Sequence, residues 1–207
     1  YDVLLEMEGE DVTEFEKTVD AYYSSVDFPE DVTMTFSSIG LKGQGFEETH
    51  ILSFVSPSSQ SLANLRASLS DEKWENYLDL VRPLVDNVRV SAGNASKVFN
   101  AEEFYPIGQV WGFKVKSKYI PQFTVAFEKL MQTFDAPGFV GLANVTHGIS
   151  NGENLLIYGT YPDLNSAFTF GPKNEAEAGA FAEFFNVTGE ISEFTQSWTR
   201  VKIQDYN

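Results

Sequence analysis

The sequence has no cysteine and only two histidines, His50 and His147. The first absence excludes disulfides, thiolate catalysis and cysteine-ligated zinc or iron–sulfur centres. The second argues against a metal site built from several imidazoles of one chain, so no metal is expected. Basic residues are scarce, with 14 Lys and Arg against 30 Asp and Glu and a formal charge of −16. Such a polyanion repels phosphate, which makes nucleic acid and anionic membrane surfaces poor partners, and no nucleic acid is expected. Long apolar runs are missing too. None approaches the ~18–20 residues that a spanning helix needs, so membrane insertion is not expected. The chain begins at Tyr1 without a methionine, which reads as the mature product of an exported precursor or as a trimmed chain. Acidity suits a periplasmic or extracellular bacterial protein, while the lack of cysteine suits an exported protein as well as a cytosolic one. Three glycosylation tripeptides, at Asn94, Asn144 and Asn186, are short enough to recur by chance.

What is present is ordinary in bulk and unusual in one respect. The 207 residues are 43% hydrophobic and 21% charged, the composition of a globular chain of one large or two small domains. Aromatics are abundant, with 18 Phe, 9 Tyr and 3 Trp. The chain also repeats itself in pattern. Val3-Leu4-Leu5-Glu6-Met7-Glu8 lies against Trp111-Gly112-Phe113-Lys114-Val115-Lys116, and Phe15, Val19, Tyr22 and Tyr23 lie against Phe123, Phe127, Leu130 and Met131. Pro29 meets Pro137 and, after a small drift in register, Pro57 meets Pro162.

Each half reads β-α-β-β-α-β. Alternation over 109–116 puts Trp111, Phe113 and Val115 on one face of a strand. Ser117 is placed to cap the helix that follows, with Pro121 in its first turn. A strand over 139–146, a turn over 147–152 and a strand over 154–161 make a hairpin, and helix follows from 162 to 185 with a break at Gly171-Pro172. In the first half, Asp11-Val12-Thr13-Glu14 has the spacing of a capping box. The stretch 58–85 splits near Ser70-Asp71. The expected organisation is an N-terminal repeat over 1–100, a linker over 101–108 and a C-terminal repeat over 109–207.

This doubled unit resembles a tandem ferredoxin-like protein. More narrowly, it is similar to the dimeric α/β-barrel superfamily, which includes antibiotic-biosynthesis monooxygenase-like, EthD-like and stress-responsive barrel proteins and relatives of chlorite dismutase. The resemblance implies an α+β fold in which two antiparallel sheets pack face to face as a barrel, here within one chain. It rests on element order and length, and fold alone does not set function. Heme-binding relatives place a histidine on a helix, whereas 58–85 and 163–185 contain none, so heme is not expected. Oxygenation without any cofactor fits the resemblance, because it needs mainly an apolar pocket with a few polar groups.

The candidate ligand residues are Trp111, Phe113, Phe127, Asn144, His147, Tyr158 and Tyr161. The rings can line a pocket between sheet and helices with Asn144, His147 and the tyrosines as polar contacts, or they can simply fill the core. His147 can act as a general base or stand exposed in a turn. His50 reads as a residue at a strand edge on the surface, or as a partner of Glu47 and Glu48. Two functional classes follow. One is a binder of a small apolar or aromatic molecule, with oxygenase-like activity and no catalytic residue assigned. The other is a non-catalytic structural or interaction protein that self-associates or binds a protein partner.

Overall fold

The alternating and helical stretches become strands and helices in the order read from the sequence. The structure, a computed structural model, describes residues 1–148 and 152–207. The first half runs β1 (Asp2–Glu6), α1 (Val12–Tyr23), β2 (Thr33–Lys42), β3 (His50–Val55), α2 (Ser59–Ser68), α3 (Glu72–Val81) and β4 (Asn87–Phe99). The second runs β5 (Ile107–Val115), α4 (Ile120–Met131), β6 (Val140–His147), β7 (Leu155–Tyr161), α5 (Leu164–Phe168), α6 (Glu175–Ile191) and β8 (Ser192–Tyr206). This is an α+β fold whose paired strands are antiparallel. The expected turn over 147–152 falls partly outside the described residues.

The chain divides into two compact units, and the division falls inside strands β2, β4 and β8. Unit 1 holds 1–39, 44–90 and 202–207. Its strands pair in the order β1-β3-β2, with Val3 opposite Leu52 and Phe36 also opposite Leu52. One sheet face presents Leu5, Met7, Met34, Phe36, Leu52 and Phe54. Phe15, Val19 and Tyr23 of α1, four residues apart along one helix stripe, cover it together with Leu65, Tyr77 and Val81. The last residues belong here because Thr35 donates to Asp205 at 2.7 Å and the Tyr206 hydroxyl donates to Asp20 at 2.9 Å.

Unit 2 holds 40–43 and 91–201. Its strands pair in the order β4-β6-β7-β5-β8. Phe113, Val115, Leu142, Leu155 and Ile157 face Phe123, Phe127 and Leu130 of α4 and Phe184 of α6. The rings of Phe123 and Phe184 meet edge to face at 5.6 Å.

Helix ends show which local signals act. Ser58 accepts from Ser61 N at 3.2 Å and Asp71 from Trp74 N at 2.9 Å, so α2 and α3 each begin at a side-chain cap on either side of the break at Ser70. Asn174 caps α6 by accepting from Glu177 N at 2.9 Å, and the Glu177 carboxylate reaches back to Lys173 N at 2.7 Å. Two expected caps do not form. Asp11 already has helical dihedrals (φ −88, ψ −15) in place of the extended ones of a capping residue, and no side-chain cap forms. Ser117 opens a 3-10 turn over Ser117–Tyr119, and α4 starts one turn later with Pro121 in its first positions.

Two glycines inside α6, Gly179 and Gly189, have nothing within 4 Å of where a Cβ would stand and no positive φ. Neither is required by the fold of this chain. Gly179→Ala is therefore expected to stabilise the protein by about 0.5–1 kcal/mol, through lower backbone entropy in the unfolded chain. Urea unfolding followed by circular dichroism measures it, and a destabilised variant would show that this reading of the helix surface is mistaken.

Candidate functional site

The sheet of unit 2 has a second face, away from α4 and α6. Register puts Gly108, Val110 and Gly112 of β5 on it, between Tyr158 of β7, opposite Val110, and Trp198 and Arg200 of β8, opposite Val110 and Gly108. The missing side chain at Gly108 is what lets its neighbours meet. A Cβ there would stand 2.5 Å from the Tyr158 hydroxyl and 2.8 Å from Arg200 Nε. In that space the Arg200 guanidinium donates to the Tyr158 hydroxyl.

Aromatic rings frame the pair. Arg200 Cζ lies 5.6 Å from the centroid of Phe104 and 5.4 Å from that of Tyr158. Phe139 completes the group, 5.4 Å from Phe104 and 5.9 Å from Tyr158. Thr160 holds the segment that carries Phe104. Its hydroxyl donates to Glu103 O at 3.1 Å and accepts from Tyr105 N at 3.3 Å, and Phe139 N donates to Glu103 O at 2.8 Å. Arg200 is only 3% exposed while Phe104 is 41% exposed, so a shielded guanidinium sits beside a ring that reaches solvent. Further along the same face, Gln196 donates to the buried Glu153 carboxylate at 3.2 Å. Thr195 Oγ1, above Gly112, is buried and has no hydrogen-bond partner among the described residues. A buried unpaired hydroxyl costs about 1–3 kcal/mol, a penalty that a bound polar group would relieve.

The seven residues read from the sequence do not gather into one site. Phe113 and Phe127 lie in the layer between sheet and helices, 9% and 1% exposed. Trp111 and Tyr161 both pack on Phe170, at 5.3 and 5.7 Å, on that same side. Tyr158 alone faces Arg200. Asn144 stands opposite Asn94 in the pairing of β6 with β4. His147, at the exposed end of β6, has Nδ1 3.0 Å from Thr146 Oγ1. Arg200, Gly108, Phe104 and Phe139 were absent from that reading. For Gly108 and Arg200 the signal is strand alternation, because Gly108-Val110-Gly112 and Gln196-Trp198-Arg200 each occupy every second position.

A second polar centre lies in unit 1. His50 is not a surface residue: it starts β3 on the face that α1 covers and is 2% exposed. Its ring stacks on Phe36 at 5.7 Å and tilts against Phe15 at 5.4 Å. Nε2 lies 3.3 Å from the Glu16 carboxylate and Nδ1 lies 3.0 Å from Thr49 Oγ1. A carboxylate only accepts, so Nε2 carries the proton, while Nδ1 faces the Thr49 hydroxyl, which also reaches Leu5 O at 3.3 Å. Burial lowers the imidazole pKa, and Glu16 offsets part of that effect. Among the described residues no cluster of three or more His, Asp or Glu is arranged to hold a metal ion.

No protein-family model and no curated protein matches the sequence. Solved structures do match along the whole chain. A candidate monooxygenase from Lactobacillus acidophilus NCFM superposes with a TM-score of 0.67 at 12% identity, covering 100% of this chain and 94% of that one. A candidate monooxygenase from Fusobacterium nucleatum subsp. nucleatum also gives 0.67 at 12% identity, covering 100% and 92%. An anthrone oxidase-like protein gives 0.65 at 10% identity, covering 99% and 90%. The chain shares their fold. At such identities the likeness is one of architecture, and it agrees with the α/β-barrel-like character expected from element order.

Proposed function

We propose that this chain is an exported small-molecule-binding protein with oxygenase-like activity and no cofactor. Its ligand would be an aromatic ketone or phenol that binds over Tyr158 and Arg200. The observation that carries the reading is the shielded Arg200–Tyr158 pair, framed by Phe104 and Phe139 and accommodated by Gly108. Flat aromatic walls with a few convergent polar groups are what a planar phenolic ligand needs. A cation and a hydroxyl at one point suit an oxygen atom that gains negative charge during reaction. The likeness to an anthrone oxidase-like protein supports the choice of ligand class. The matched order of elements in the two halves supports reading the chain as a doubled unit.

Anthrone is the probe. Its oxidation by dioxygen balances without another reductant: one oxygen atom enters the ring carbon, which loses both of its hydrogens, and the other leaves as water. Dioxygen uptake and anthraquinone formation are expected to run faster with protein than in buffer. Tyr158→Phe keeps the ring and removes the hydroxyl, and is expected to slow the reaction about tenfold or more. Gly108→Ala, which drives a methyl group into the pair, is expected to do the same. No acceleration, together with no quenching of tryptophan fluorescence by anthrone, would overturn the proposal.

A further inference from the structure

On the outer side of unit 2, α4 and α6 leave an open groove of about 470 Å³. Its floor and walls are mostly apolar, with Val125 and Leu130 from α4 and Ala180 and Val187 from α6. Val125 is 51% exposed although it is branched and apolar. Lys129 on one wall and Glu183 on the other are the charged residues of the lining, 3.4 Å apart and each 60% exposed.

We propose that this groove is where a second copy of the chain docks, by a two-fold contact of α4–α6 against α4–α6. Charge picks the occupant. The whole chain carries −16, so two copies repel over most of their surface, whereas the groove holds one positive and one negative group. The two charges sit on opposite walls. A two-fold axis running along the groove exchanges its walls and sets Lys129 of each copy against Glu183 of the other, so the surface is complementary to itself. Exposed ion pairs contribute little, so trading the contact within a chain for one between chains costs little. A basic partner would find far more negative charge elsewhere on this protein than in a groove of net charge zero. The glycine at position 179, one turn before Glu183 on the outward side of α6, fits the same account. It leaves the helix backbone bare where a facing helix would approach.

Sedimentation velocity over a concentration series tests this with the whole chain. The wild type is expected to pass from monomer to dimer in the micromolar range. Lys129→Glu and Glu183→Lys should each weaken the dimer at least about tenfold, because the self-contact then meets like charge. Mixing the two single variants should restore a dimer with one chain of each, and the double variant Lys129→Glu/Glu183→Lys should dimerise as the wild type does. Gly179→Leu should weaken the dimer without lowering the melting temperature measured at concentrations where the protein is monomeric, since the added side chain meets open space within the chain. A wild type that stays monomeric throughout overturns the proposal. So does a dimer indifferent to the charge reversals, or a failure of the mixed variants to associate. A small molecule retained in the groove of a monomer purified from its source would assign the groove to a ligand instead.

Discussion

Replacing Phe127 with alanine is expected to lower the unfolding free energy by about 3–5 kcal/mol. The side chain is 1% exposed and projects from α4 into the layer above the unit 2 sheet. It meets Phe99 edge to face at 5.9 Å and Phe184 at 6.5 Å. Rings on neighbouring elements cannot all move inward to refill the space, because each is already held by its own partners, Phe184 by Phe123 and Phe185 among them. A domain is commonly stable by about 5–15 kcal/mol, so this one change removes a large share of the margin. Phe104→Ala, at a ring 41% exposed, should cost far less. The comparison separates the two roles that the sequence left open for Phe127. A phenylalanine lining an open pocket has solvent or ligand on one face and loses less on truncation. Urea unfolding midpoints of the two variants measure the difference. A loss below about 1 kcal/mol for Phe127→Ala would mean that the layer is not closely packed there.

The sequence was legible where one physical signal dominated. Period-two alternation marks β5, and Phe15, Val19 and Tyr23 lie on the buried side of α1. The break between α2 and α3 was visible because Asp71 is a strong cap standing just after Ser70. Gly171 with Pro172 likewise marked the gap between α5 and α6, and Gly171 takes a φ of 149 that other residues rarely adopt. Caps were less legible. A capping motif states only that a side chain is able to bond an orphan N–H, and at Asp11 the backbone entered the helix before the carboxylate could do so.

The candidate site was legible in part. Tyr158 was named from its place on a strand, but the groups that give it a role are distant in sequence. Arg200 arrives on the last strand, and Phe104 lies in the segment between β4 and β5. Which face of a two-sided sheet a strand residue occupies follows from alternation, but which residue of the next strand it meets follows from register. Gly108 shows the limit well. As a letter it reads as a weak point in a strand, and only with Tyr158 and Arg200 on the flanking strands does it read as the space they share. His50 illustrates the converse. Its place at a strand edge suggests a surface, yet its parity with Leu52 and Phe54 places it under α1.

That burial has a consequence in acid. Protonating His50 in the folded protein puts a charge among Phe15 and Phe36, and the Glu16 carboxylate at 3.3 Å offsets only part of the cost. The folded pKa is therefore below the ordinary value of ~6.5 that the unfolded chain retains. Above that value neither state binds the proton and the residue contributes no pH dependence. As pH falls through ~6.5, the unfolded chain takes up a proton that the folded chain resists, so stability drops. The slope approaches about 1.4 kcal/mol per pH unit and flattens once the folded pKa is reached. Carboxylates titrate mostly below pH ~5, which leaves the window from there to pH ~6.5 to histidine. Unfolding free energies across that window should fall with acid in the wild type and in His147→Gln, whose ring is exposed. They should stay nearly level in His50→Gln, which retains polar groups facing Glu16 and Thr49. If the wild type instead gained stability on acidification, the attraction of Glu16 would exceed the cost of burial and the sign of the shift would be reversed. Equal slopes in wild type and His50→Gln would place the titrating group elsewhere.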